Sequence, residues 1–423
     1  MSRVHRIAAV LFALCGASAA FARQANSDRA QSCKVCHGGE AREFAQGIHA
    51  KSSVDCITCH GGAAGEVDVA KAHGANLKKL GDPLAAVESC VGCHSDVEQM
   101  RSFGLRTDQL SLYWTSRHGA KLALDGDPNV ATCVSCHGSH FVLPVRDPLS
   151  PVHERHQVDT CGRCHADATL MAKYGLPADV VQDFRGSVHG KALIEGEHPA
   201  APGCTECHGS HGAAPPRTGD VRQVCGNCHS VVQEYFERSP HVAGAHDKGL
   251  QCTSCHDHHA VVAPSTEMFT GSDEGHCGNC HSGDNDPALA IGVRLRDDVE
   301  RLAATIRGVD EEIGGAARRG LFLGEERGYL EDARGLLVRA RTMTHTASPV
   351  ALDEILNRGQ AMVEKTLESL TTKNRIFRDR KIYTAILFVV AVCFAIALSM
   401  YGRAISGRWK AAQAPPEGDA HGR

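Results

Sequence analysis

Three stretches of the chain carry a hydrophobic pattern strong enough to predict helices. Leu295, Val299, Leu302, Ile306, Val309 and Ile313 recur at alternating intervals of four and three residues. That spacing keeps one helix face apolar and predicts a heptad-like seam. Gly314, Gly315 and Gly320 are expected to break it. Leu323, Leu330, Ala333, Leu337 and Ala340 carry a second helix, and Leu352, Ile355, Val363, Leu367 and Leu370 a third. Ser348-Pro349 reads as an N-cap followed by proline at the first helical position. Residues 286–381 are therefore predicted to form a helical bundle, serving as a stalk or as a docking element.

The third helix is expected to run on into Ile382–Gly402, 21 residues without a charge. At about 1.5 Å per residue this stretch is about 30 Å long, the thickness of a bilayer core. It predicts one transmembrane helix, with 403–423 as a cytoplasmic tail. At the other end, Arg3 and Arg6 precede the apolar stretch Ile7–Ala20, and Ala20-Phe21-Ala22 fits a cleavage site. Residues 1–22 thus predict a secretory signal. Leu14 before Cys15 argues against a lipoprotein. The bulk of the chain is then expected in the periplasm, anchored in a bacterial inner membrane. The basic residues oppose this weakly. Lys373, Arg375, Arg378, Arg380 and Lys381 fall on the outer side, against Arg403, Arg408 and Lys410 within. The signal and the cysteine chemistry decide the orientation.

Charge adds one exclusion. With 45 Lys+Arg against 49 Asp+Glu the net charge is -4, and no basic excess points to nucleic acid. The 20 Cys and 26 His change the picture more. So many thiols do not suit an ordinary cytosolic enzyme. Aromatic residues are only 5%, so part of the core is expected to be something other than side chains.

Eighteen of the cysteines fall into one pattern, Cys-x-x-Cys-His. The copies are Cys33/Cys36/His37, Cys56/Cys59/His60, Cys90/Cys93/His94, Cys133/Cys136/His137 and Cys161/Cys164/His165. They continue as Cys204/Cys207/His208, Cys225/Cys228/His229, Cys252/Cys255/His256 and Cys277/Cys280/His281. The leftovers are Cys15 in the signal and Cys393 in the span. Cys at i and i+3 lie on one face of a helical turn, so both thiols reach the vinyl groups of one haem. The following His offers a ring nitrogen to the iron. This is the attachment signature of c-type haem. A disulfide framework does not demand a His after every second Cys. Zinc sites pair their C-x-x-C units without a fixed His. A thioredoxin-like motif occurs once. The prediction is nine covalently bound haems in residues 23–285, a region that would not fold without them.

The motifs sit in repeats. Ser116-Arg117-His118-Gly119, Cys133 to His140 and Cys161 to His165 recur 71 residues later as Ser187-Val188-His189-Gly190, Cys204 to His211 and Cys225 to His229. A shorter copy runs from Ser239-Pro240-His241 through Cys252–His259 to Cys277–His281. A degenerate one runs from His49 through Cys56–His60 to Cys90–His94. The fold class is then mainly α with much irregular structure: a haem-packed stack of two-haem repeats, followed by the bundle and one C-terminal transmembrane helix. The extra histidines are candidate second axial ligands. His140, His211 and His259 lie three residues beyond a motif His, and His49, His118, His189 and His241 hold the early position. Ala63 replaces the late His of the first unit, and His73 is the substitute. His153, His156, His198, His246, His258, His276 and His345 are held in reserve.

The doubled Cys-x-x-Cys-His motifs of residues 33–281 resemble the multihaem cytochromes c related to the class III low-potential cytochromes. The resemblance implies bis-histidine haems packed closely and relaying single electrons. The quinol dehydrogenases of the NapC/NirT type are similar in role, but carry an N-terminal anchor and fewer haems. Multihaem enzymes such as hydroxylamine oxidoreductase and octahaem tetrathionate reductase are a further comparison. The Cys-x-x-Cys-Lys motif of pentahaem nitrite reductase is absent. The expectation is an electron carrier between a quinol-oxidising or cytochrome b-type donor in the membrane and a periplasmic or outer-membrane acceptor. The rival is an oxidoreductase of a small nitrogen or sulfur oxyanion at one five-coordinate haem.

Overall fold

The computed structural model describes residues 30–52, 54–196, 200–216, 221–242, 249–271, 276–283 and 285–413. The expected signal, His198, His246 and the tail from 414 lie outside them. The described residues are mainly helical and contain no strand. The chain divides into two compact units, Met1–Gln233 with Ala243–Pro264, and Glu234–Val242 with Ser265–Arg423.

In the second unit, α1 (Pro287–Arg318), α2 (Gly324–Met343) and α3 (Pro349–Ala412) pack together. Asp286 caps α1 by accepting from the Ala288 N–H at 2.8 Å, with Pro287 at the first position. Ser348 caps α3 through the Ala351 N–H. The predicted seam residues Leu295, Val299, Leu302, Ile306, Val309 and Ile313 are all buried. They meet Leu330, Ala333, Leu337, Leu352, Ile355, Val363 and Leu370 in one core. Each such leucine or isoleucine contributes about 1.5–3 kcal/mol. At Gly359 a Cβ would stand 2.8 Å from Leu302 Cδ2, so the bare backbone admits the leucine.

Two of the three glycines expected to break α1 do not. The helix continues through Gly314 and Gly315 to Arg318. A helical glycine costs roughly 1 kcal/mol against alanine, and the buried Ile313 and Ala316 on either side outweigh that cost. Gly320, at φ +92, belongs to the turn that follows.

Glu326 on α2 is fully buried. It accepts from Ser369 Oγ at 2.5 Å and lies 2.8 Å from Lys373 Nζ, both on α3. Burial pushes its carboxyl pKa up, but the Lys373 and Ser369 hydrogen bonds outweigh this and hold it below the usual range. Before this point α3 is a bundle helix. From Arg380 to Lys410 every described residue is exposed, and this part is long and apolar enough to cross a membrane.

The first unit is built differently. Its helices are short, and its buried apolar side chains are few: Ala30, Ala86, Val87, Met100, Leu122, Leu143, Val158, Met171 and Leu193. The 71-residue repeat appears as structure. Gln109–Thr115, Arg117–Asp125 and Cys133–His137 return as Val180–Gly186, Val188–Glu195 and Cys204–His208.

Candidate functional site

Each motif forms a turn of helix or 3-10 helix. The motif His N–H donates to the carbonyl of the first Cys in Cys33/His37, Cys225/His229, Cys252/His256 and Cys277/His281, at 2.9–3.0 Å. Others are helices of five residues, Cys56–His60, Cys133–His137 and Cys204–His208. Asp55 caps the first of these through the Thr58 N–H at 2.9 Å, and Glu206 accepts from the Gly203 N–H at 2.7 Å. Gly61, Gly138 and Gly209 stop them at positive φ. At the eighth motif Asp257 takes that place, at φ 58, a conformation aspartate tolerates better than most residues.

The thiols of successive motifs lie close together. Cys33 neighbours Cys56. Cys90 hydrogen-bonds Cys133, Cys161 bonds Cys204, and Cys225 bonds Cys252. Between these contacts, Cys59 neighbours Cys90 and Cys93, Cys136 neighbours Cys161 and Cys164, and Cys207 neighbours Cys225 and Cys228. The first eight motifs therefore follow one another in space as in sequence. Burial pushes the thiols of Cys59 and Cys136 up. Cys225, accepting from Cys252, is lowered to about 7. The motif cysteines form no disulfide.

The second cysteines differ in exposure from motif to motif. Cys36 and Cys280 are exposed, as are Cys207 and Cys228, whereas Cys255 is half-buried. Cys36 is the last residue of the helix Gln31–Cys36, so His37 falls outside it. Cys255 lies within Thr253–His256, its N–H 3.2 Å from the Cys252 carbonyl, and it interacts with a neighbour. The ninth motif is not the helical turn expected. Its 3-10 turn Cys277–Asn279 ends before Cys280, whose N–H reaches the Cys277 carbonyl at 3.2 Å. There Gly278 packs so closely on Gly271 that a Cβ would stand 2.8 Å from the Gly271 Cα. None of these three turns buries a residue.

Eight motif histidines each face a second histidine. The late ones pair backwards: His140 with His60, His211 with His137 and His259 with His208, at 6.0, 6.1 and 5.9 Å between ring centroids. The early ones pair forwards: His49 with His94, His118 with His165, His189 with His229 and His241 with His281, at 6.1–6.3 Å. His73 faces His37 at 6.0 Å. The two groups differ in ring orientation. The late pairs are near parallel, at 22°, 12° and 23°. The early pairs are tilted by 63°, 56°, 43° and 58°, and His37–His73 by 66°. His256 of the eighth motif also interacts with a neighbour.

One backbone bond sets this arrangement, three times over. The residue before an early His donates its N–H to the carbonyl two residues beyond a late His of the following unit. The pairs are Ile48 to Val142, Arg117 to Ala213 and Val188 to Val261, at 2.8, 3.1 and 2.9 Å. Ser116 and Ser187 fix the early His helices by accepting from Gly119 and Gly190 N–H while donating to the Tyr113 and Phe184 carbonyls. A Cβ on Gly119 or Gly190 would collide with those same carbonyls. The repeated Ser-x-His-Gly is the sequence signal for these residues, whose positioning role the spacing of Cys and His did not reveal.

Burial lowers the pKa of His49, His60, His118, His137, His189 and His241, and the facing imidazole lowers each further. These rings are held neutral, the state in which a ring nitrogen binds metal. His208 Nδ1 lies 3.1 Å from the Ala214 carbonyl, and His281 Nδ1 lies 3.4 Å from Asp286. Such bonds orient the other ring nitrogen. Imidazoles bound on opposite sides of one metal at about 2 Å bring their ring centroids to about 6 Å. Two histidines leave the four positions between them to another donor. Among the described residues no group of three or more His, Cys, Asp or Glu is placed to hold a bare ion. With two thiols on the adjoining turn and few apolar side chains buried around them, the residues fit an iron porphyrin.

The reserve histidines stand elsewhere. His156 Nε2 lies 2.9 Å from the Pro148 carbonyl, and His153 lies beside it. His258 lies 4.6 Å from His259 with its ring tilted by 44°, and it bonds Asp257. His345 lies in the α2–α3 turn, its Nδ1 2.9 Å from the Thr342 carbonyl. His276 bonds the Met268 carbonyl through its backbone. Comparison with family models, curated proteins and solved structures finds no match.

Proposed function

We propose that the protein is a membrane-anchored c-type cytochrome with nine covalently held haems. It carries electrons one at a time from a quinol-oxidising or cytochrome b-type donor in the membrane to a periplasmic or outer-membrane acceptor. One observation carries the reading: eight motif histidines each face a second histidine across 5.9–6.3 Å. The paired cysteines of each motif would hold the ring edge, and the paired histidines the iron. Haem iron so held supplies a one-electron couple.

The chain's own residues do the rest. A histidine from each side would leave no place for a substrate at the eight paired sites, which favours a carrier over an enzyme there. Burial keeps the imidazoles neutral and in place. A cysteine of one motif lies beside a cysteine of the next, which favours closely spaced successive sites. The apolar part of α3 supplies the anchor, and the signal-like N-terminus and covalent haem chemistry favour the bacterial inner membrane with the bulk of the chain in the periplasm.

Mass spectrometry of the purified native protein should read nine haem masses above the processed chain. Electron paramagnetic resonance of the oxidised protein should show low-spin iron at the paired sites. A mass equal to that of the bare chain, or high-spin iron at most sites, would overturn the reading.

A further inference from the structure

We infer that the α1–α2 turn, together with the part of α3 just before the span, docks on anionic phospholipid headgroups of the bilayer that α3 crosses. The turn is brought to the right level by two contacts with α3. Arg319 donates to Asn374 Oδ1 at 2.9 Å, and Lys373 Nζ donates to the Phe322 carbonyl at 3.2 Å. Asn374 lies eight residues before Ile382, or about 12 Å along the helix. The headgroup layer extends about 5–7 Å beyond the hydrocarbon. Long side chains from the turn can span the remaining gap.

The chemistry of this zone matches that surface. Arg318, Arg319, Arg375, Arg378, Arg380 and Lys381 stand against Asp379 as the one acid in 318–322 and 373–381. Lys373 is already committed to Glu326. Phe322 is 93% exposed at the apex of the turn. Lys381 Nζ sits 4.5 Å from the Phe377 ring centroid, an ammonium on an aromatic face at the edge of the span. Anionic headgroups attract clustered lysines and arginines within a Debye length. This surface also gives a use to the basic residues that weaken the charge bias across the span. Lipid contact at the turn would make α1 and α2, as well as α3, part of the membrane attachment.

The test is hydrogen–deuterium exchange of the full-length protein in nanodiscs of phosphatidylglycerol or of phosphatidylcholine. Amides around 319–324 should exchange several-fold more slowly in the anionic discs, and the difference should vanish in high salt. Arg318→Gln and Phe322→Ser should each reduce the protection. Equal exchange in the two lipids, or protection that survives high salt, would overturn the inference. The salt and lipid comparisons on the unaltered protein decide the matter even if a variant fails to fold. Incorporation into discs reports the span separately, and no readout depends on iron.

Discussion

His140 lies face to face with His60, ring centroids 6.0 Å apart and planes 22° from parallel, although two further motifs separate them in the chain. His140 belongs to the turn just after Cys133–His137, yet it faces the motif of the preceding unit. On the proposed function, His140→Ala should leave one iron with a single histidine and convert that iron alone to high spin. His156→Ala, whose ring is tied to the Pro148 carbonyl, should change nothing. Spin counting by electron paramagnetic resonance on both variants checks this.

The ring angles predict two spectroscopic classes. Parallel imidazole planes lift the degeneracy of the iron orbitals more than crossed planes do. The sites of His60, His137 and His208 should therefore give rhombic low-spin signals, and the tilted pairs more axial ones with a larger highest g value. Variants of His140, His211 and His259 should remove signals from the first class only. A single uniform signal would contradict the geometry.

Gly119→Ala and Gly190→Ala should each destabilise the protein, by about 1–3 kcal/mol. The new methyl group meets the Tyr113 or Phe184 carbonyl, and the early histidine beside it must shift. Gly186→Ala, with open space around it, is the control. Thermal melts give the stability, and the spin state of the His165 or His229 site reports the shift.

Acid should destabilise the first unit. Burial lowers the folded pKa of His49, His118 and His189 below the ordinary value of 6.5. Below that value the unfolded chain takes up protons that the folded chain refuses. The stabilisation is therefore present above about pH 6.5 and is lost as pH falls from there through the folded pKa values. Melting temperatures followed from about pH 7.5 to about pH 5 should fall. The buried Glu326, with its pKa lowered, responds only at more acidic pH.

Much of this was legible in the chain. The seam from Leu295 to Ile313 reads as a helix because its period is local, and burial follows that period residue by residue. Gly314 and Gly315 mislead because a propensity cost is weighed against packing that only the folded bundle reveals. The motif turns are local too, although Cys36 and Cys280 show that spacing does not report how enclosed a thiol is. The partner of each motif histidine is not local, because it depends on how the chain returns. His140 reaches His60 and not His94 where Ile48 N–H bonds the Val142 carbonyl, and no spacing encodes that bond. Ser116 and Gly119 were visible as a repeat, but their work on the backbone showed only in three dimensions.

Because each late histidine is lent to the unit before it, the repeat behaves like a translational lattice and not like a row of sealed boxes. Deleting one full period within the 71-residue repeat joins a borrower to an equivalent lender. Deleting half a period strands both. Gene duplication could therefore lengthen such a protein only in whole periods, as masonry with interlocking courses grows by complete rows.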